Sequence, residues 1–234
     1  NNKKTVFNFP ETQIFRRNKL NLNCERHLSI FAKHNIIPKF CFGCYKIQIT
    51  LINVIDLLKL YFYFNNLNLQ NNNIRKCVVE LRKNVSGNYK GYIFTNSLKE
   101  SEEIIKLINN DLSKNSMGIK NIEIKHGCTE YYEEYELYKD INNDFSEKIY
   151  QSHWINIEKE FDKKNLIEEN NKERTFNFTL NKFNLPDFLI IKNWLLYAKI
   201  IGDESHKEIF KFEIDTNRLA RAQKEIISLR KKIH

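Results

Sequence analysis

Residues 45–66 read YKIQITLINVIDLLKLYFYFNN, and the change of period inside this stretch decides the fold. Tyr45, Ile47, Ile49 and Leu51 alternate with Lys46, Gln48 and Thr50, the pattern of a half-buried strand. Asn53 then caps a helix running to about Asn65, with Val54, Leu57, Leu58, Tyr61 and Phe62 on its apolar face. Asn-rich residues 65–73 form a loop. The β-rich run from Lys76 to Arg82 predicts a second strand, Val85-Ser86-Gly87-Asn88 a hairpin turn, and Tyr89 to Thr95 a third strand. Ser97 with Glu100 three residues on is a capping-box pattern, opening a helix to about Leu112 through Ile104, Ile105, Leu107 and Ile108. Met117-Gly118 breaks the chain, and Asn121 to Lys125 is the fourth strand. The order βαββαβ over residues 41–128 predicts an α+β, ferredoxin-like core: an antiparallel sheet with both helices on one face.

The flanks are read against this core. Residues 1–40 are an N-terminal arm followed by a short helix, Cys24 to Asn35, with Asn23 as N-cap and Pro38 as its stop. The arm lies on the body of the protein or reaches a protein partner. Residues 129–234 are a C-terminal α/β extension or a second small domain. Within them, 129–140 alternates Tyr and Glu at helical spacing. Helices are expected at 146–164 and 186–201, the latter with Pro186 in its first turn, strands at 176–181 and 208–214, and a basic last helix capped by Thr216.

At 234 residues, 41% apolar and 13% aromatic, the chain has material for a real core, which excludes overall disorder. The two most apolar runs, 51–69 and 185–201, are interrupted by Asp56 and Lys59 and by Asp187, Lys192 and Lys199, so no membrane span is expected. A net charge of +9 points to RNA or another polyanion as partner, although Lys is abundant throughout an Asn-, Lys- and Ile-rich composition. Five irregularly spaced cysteines without a secretory leader pattern predict a soluble protein in a reducing, intracellular (cytoplasmic) compartment.

The predicted topology separates those cysteines. The fourth strand lies antiparallel beside the first, so His126 and Cys128 approach Cys41 and Cys44. Cys-x-x-Cys with His-x-Cys supplies four ligands for a structural zinc ion. An iron–sulfur cluster using Cys41, Cys44, Cys128 and a fourth thiol, or free thiols packed at a sheet end, are the other readings of these residues. Cys24 and His27 are further candidate ligands or ordinary packing. Cys77 falls near the other end of the sheet, about 20 Å away, as a small buried hydrophobe. A redox Cys-x-x-Cys normally opens a helix, whereas a strand follows Cys44.

The third strand reads Lys90-Gly91-Tyr92-Ile93-Phe94. It resembles the aromatic-strand pattern of the RNA-recognition motif, K/R-G-F/Y-G/A-F, departing at Ile93, where that family has a small residue, and again at Thr95. The resemblance implies base stacking on Tyr92 and Phe94 and a phosphate contact from Lys90, with Tyr45 as a third platform. Arg75, Lys76, Arg82, Lys83 and Lys90 form the densest basic patch and extend the candidate nucleic-acid surface.

Other chemistry is thinner. If 129–140 is helical, Glu130 and Glu134 share a face that suits a hard cation or simply water. Cys128 beside His126 is a candidate nucleophile and base. No phosphate-cradling glycine loop, dinucleotide fingerprint, zinc-protease helix or G-x-S-x-G is present. The expected function is a non-catalytic RNA-binding module with a structural zinc site. The alternatives are a metal- or cysteine-dependent enzyme at Cys41, Cys44, His126 and Cys128, or an interaction subunit of a larger assembly.

Overall fold

The computed structural model describes residues 10–16, 22–83, 85–114, 116–141, 149–165, 183–210 and 216–233. Its centre is a five-stranded antiparallel sheet made by β1 (Gln13–Arg16), β2 (Tyr45–Leu51), β3 (Arg75–Val79), β4 (Tyr89–Thr95) and β5 (Ile119–His126), in the spatial order β1-β3-β4-β2-β5. Helices α1 (Cys24–His34), α2 (Lys39–Phe42), α3 (Val54–Asn66), α4 (Leu98–Lys114), α5 (Trp154–Asn165), α6 (Leu185–Ile201) and α7 (Thr216–Ile233) complete the α+β architecture. Among the described residues no helix is long and apolar enough to cross a membrane.

The predicted elements of the core unit form for the expected reasons. Asn53 caps α3 by accepting the Asp56 amide at 2.9 Å. Ser97 Oγ accepts the Glu100 amide at 3.1 Å, while the Glu100 carboxylate reaches back to the Asn96 amide at 2.8 Å. Burial of Leu57, Leu60 and Phe64 from α3 and of Ile104, Ile108 and Leu112 from α4 against Ile47, Ile49 and Ile93 makes the main core. Gly91 permits the close approach of α3, since a Cβ there would stand 2.2 Å from Leu60 Cδ2. In the C-terminal part, α6 starts with a full capping box, Asn184 with Asp187, and carries proline in its first turn. It buries Ile190, Trp194 and Ala198 in the same core.

Several expectations are corrected. The sheet has five strands because the arm contributes β1, with Ile14 opposite Cys77, which gives the otherwise open edge of β3 a partner. β2 is buried at every position, not half-buried, since it sits between β4 and β5 and its second face is also covered. β3 ends at Val79, after which Glu80 still pairs with Asn88 across the hairpin through a 2.7 Å amide bond. Asn23 stands at the N-cap of α1 in the left-handed region, without a side-chain capping bond. Residues 129–140 form two short 3₁₀ helices, Thr129–Tyr132 and Glu136–Lys139, so Glu130 and Glu134 do not share a helix face. Residues 208–210 lie in a 3₁₀ helix, Glu204–Phe210, opened by the Ser205 amide on Asp203 Oδ1 at 3.0 Å, where a strand is expected. The predicted strand at 176–181, residues 146–148 of the predicted helix and residues 211–214 lie outside the described residues.

A second cluster closes one end of the sheet. Ile30, Ile37, Cys41, Phe42, Tyr131, Tyr138, Trp154 and Phe161 pack there, from α1, the connection to α2, α2 itself, both short 3₁₀ helices and α5. Arg26 ties α1 to α5 with bonds of 2.6 and 2.7 Å to Asp162 and 3.3 Å to Glu158.

Candidate nucleic-acid interface and thiol cluster

The face of the sheet opposite α3 and α4 carries Lys46, Gln48 and Thr50 from β2, Lys76 and Val78 from β3, Lys90, Tyr92 and Phe94 from β4, and Glu123 and Lys125 from β5, by strand alternation and register. Tyr92 is its centre. The Lys76 ammonium lies 5.1 Å and the Lys46 ammonium 5.6 Å from the Tyr92 ring centroid, within cation–π range. Phe94 sits beside it, with ring centroids 6.4 Å apart and tilted by 36°.

Electrostatics on this face are those of charges taken out of water. Burial lowers the Lys46 ammonium to about 8, and its Nζ donates to the Gly127 carbonyl at 3.0 Å. Burial also lowers Lys76 and Lys90. Lys90 is 1% exposed, and its ammonium stands 3.7 Å from the Glu80 carboxylate. Arg82 reaches the same carboxylate at 2.8 Å and, with Lys90, holds Glu80 down at about 2. Gln48 donates to Glu123 at 2.7 Å, and Lys125 pairs with Glu123 at 2.8 Å.

The structure thus brings Lys76, Lys90, Tyr92 and Phe94 onto one face, with Arg82 joined to it through Glu80. Tyr92 is covered, at 7% exposure, whereas Phe94 and Lys76 are partly open. Arg75 stands apart. It projects to the helix side, where its guanidinium donates to the carbonyls of Phe64 at 2.7 Å, Leu67 and Asn73, closing the C-terminal end of α3. Tyr45 also faces the helix side, stacked on His126. Lys46 and Glu80 were not singled out in the sequence.

At the sheet end, the antiparallel pairing of Tyr45 with His126 brings the cysteines together as topology predicts. The Gly127 amide donates to the Cys44 carbonyl at 2.8 Å. A Cβ at position 127 would stand 2.5 Å from Cys44 Sγ, so a larger residue there would have to displace that thiol. Cys41 and Cys128 lie within electrostatic reach of each other, and the Tyr131 hydroxyl lies 3.4 Å from Cys41 Sγ. Exposed Cys24 and buried Cys44 lie within electrostatic reach of Cys128. Interaction between the Cys41 and Cys128 thiols sets them apart: it raises Cys41, as burial also does, and lowers Cys128. Cys77 is buried beneath α3 in the main core.

His126 does not aim at these thiols. Its ring is stacked between Tyr45 at 4.8 Å and Tyr138 at 4.1 Å, and Nε2 lies 3.1 Å from the Asp140 carbonyl. That contact makes Nε2 the protonated nitrogen and leaves buried Nδ1 without a hydrogen-bond partner. Among the described residues, no group of three or more His, Cys, Asp or Glu stands close enough to hold a metal ion. His27, the other candidate, is buried, stacked on Phe40 at 5.2 Å and lowered to about 4 by burial. Beside the start of α4 a half-open cleft of about 510 Å³ is lined by Lys39, Tyr45, Ser97, Lys99 and Tyr150 among others.

Compared with known proteins, the chain matches no family model, no curated protein and no solved structure.

Proposed function

We propose that the protein is a non-catalytic binding module for a polyanion, with single-stranded RNA as the ligand class. One observation carries the reading: five cations, Lys46, Lys76, Lys90, Lys125 and Arg82, surround the Tyr92–Phe94 pair, with the carboxylates of Glu80, Glu123 and Glu130 in electrostatic reach of them. Partly open Phe94 is the platform on which a base would stack, and Lys76 and Lys125 are the phosphate contacts. The unit from β2 to β5 is taken as ferredoxin-like. Support comes from its internal order β3-β4-β2-β5, with α3 and α4 packed on one side and β1 added at the edge. Five unbridged cysteines suit work in a reducing compartment inside the cell.

Fluorescence anisotropy with labelled single-stranded RNA, repeated across a salt series, tests this. Affinity should fall steeply as salt rises. Phe94→Ala should weaken binding by about 1–3 kcal/mol, and Lys76→Ala should reduce the salt slope by about 1. RNA binding that is absent at low salt, or indifferent to both substitutions, would sink the reading.

The pairing of β2 with β5, which sets Cys41, Cys44 and Cys128 at one end of the sheet, favours a second reading, a cysteine- or metal-dependent activity there. Zinc enters it as a structural staple across the thiols. Elemental analysis of fresh protein decides that point, with near-stoichiometric zinc in the wild type and its loss in Cys44→Ser as the supporting result.

A further inference from the structure

Helix α6 reads LPDFLIIKNWLLYAKII, apolar on every side, and such a helix is ordinarily covered on every side. This one is not. Ile190, Trp194 and Ala198 face the core, while Leu185 is 68% exposed, Phe188 54%, Leu196 49% and Ile200 81%. By helical periodicity these four share one outward face with Lys192 and Lys199, both exposed. From Leu185 to Ile200 the face runs about 22 Å. No carboxylate of α6 stands on it. Asp187, the one acid of the helix, is buried and accepts from the Tyr61 hydroxyl at 3.2 Å and the Asn184 amide at 3.3 Å. Residues 220–228 of α7 repeat the combination, with exposed Ile226 and Ile227 beside exposed Arg221 and Lys224, against Glu225 alone.

An apolar face of this extent marks a place of contact, and its lysines select the occupant. Lys192 stands midway along the face, so a second copy laid across a twofold axis there would set lysine against lysine with no carboxylate of α6 to answer. An anionic bilayer meets the same face without conflict. Its headgroups carry the opposite charge, and apolar side chains enter the acyl boundary just beneath them. We infer that the outer face of α6 is a peripheral docking surface for a bilayer containing anionic phospholipid. Phe188, Leu196 and Ile200 enter the interface. Lys192 and Lys199 lay their aliphatic stems along the apolar surface and keep their ammonium groups at the level of the lipid phosphates. The helix lies in the plane of the membrane and does not cross it. A bilayer also accepts a second helix of the same character, α7, whereas a protein groove that took α6 would have to supply matching acids of its own. The inference is independent of RNA binding on the sheet.

Flotation of the whole chain with phosphatidylcholine vesicles, with and without added phosphatidylserine, tests this. The wild type should bind the anionic vesicles at least about tenfold more strongly than the neutral ones, and rising salt should weaken that binding. Phe188→Ser combined with Ile200→Ser alters exposed positions only. This variant should keep the wild-type unfolding midpoint and RNA affinity, and lose at least about tenfold in vesicle binding. Lys192→Gln combined with Lys199→Gln should cut the preference for anionic vesicles at least about threefold. A wild type that does not float with anionic vesicles overturns the inference. Vesicle binding that survives the serine substitutions also overturns it, because the contact would then be made by charge elsewhere on the chain. So does a wild-type dimer in light scattering that the serine substitutions dissociate, since a second copy would then be the occupant. A measurement on unmutated protein guards against a variant that fails to fold. Anionic vesicles should shield Lys192 and Lys199 from acetylation, and equal labelling with and without vesicles overturns the inference.

Discussion

Along β2, Ile47 and Ile49 pack under the helices at 0% exposure, while Lys46, Gln48 and Thr50 turn the other way and are still only 6–9% exposed. The two faces of β2 are therefore both removed from water but held by different forces. Under α3, α4 and α6 the burial is apolar, and Arg75 is admitted there only because backbone carbonyls take its guanidinium. On the opposite face much of the burial is of polar and charged groups held by specific neighbours: Lys90 by Glu80, Lys46 by the Gly127 carbonyl, Gln48 by Glu123. Apolar burial tolerates imperfect partners, whereas buried charge does not.

The first way to break the comparison is on the apolar side. Trp194 is wholly buried, and its Nε1 donates to the Thr12 carbonyl at 2.7 Å. Trp194→Ala should cost about 3–5 kcal/mol in urea unfolding, the largest effect expected here. Next comes Glu80→Gln, which leaves Lys90 buried beside a neutral amide and should cost about 3 kcal/mol. Adding Lys90→Met to that variant should recover most of the loss. If the double variant were no better than the single, Glu80 would be acting through packing and not through charge.

Acid sharpens the same contrast. Glu80 sits at about 2 in the folded protein, against about 4.3 in an unfolded chain. The unfolded state thus binds more protons between those values, and stability is lost as pH falls through that window. Unfolding midpoints for the wild type should drop from about pH 4.3 to about pH 2 more steeply than those of Glu80→Gln. Parallel curves would mean that the Arg82 and Lys90 contacts contribute nothing. The smallest effect belongs to the rim. Lys125 and Glu123 are each about one-third exposed, and Lys125→Ala should change stability by less than about 1 kcal/mol.

The sequence was a good guide wherever a signal is local. Alternation in β2, the Asn53 cap and the Ser97–Glu100 pair each lie within a few residues, and the structure has each of them. β1 offered no such signal: four residues carry no period, and its place depends on a pairing with β3 about sixty residues away. Alternation also told which side chains share a face but not what covers that face, so the burial of Lys46 and Lys90 was illegible. At the sheet end, strand order brought Cys41, Cys44 and Cys128 together as expected. The direction of His126 could not be read, because it depends on Tyr138, which arrives from a 3₁₀ helix where an α-helix is the simplest reading.

The joint between β1 and α6 bears on how the chain is made. Thr12 and Glu11 offer their carbonyls to Trp194 and Asn193, 182 positions later. During synthesis from the N-terminus, residues 11–16 and β3 emerge long before α6 does. The edge of β3 is then fastened only by a four-residue strand lacking its anchor, and such an edge can pair with another chain. Ribosome release or chaperone cover should therefore matter most in the interval before residue 194 appears, and a chain halted there should aggregate more readily than the finished protein.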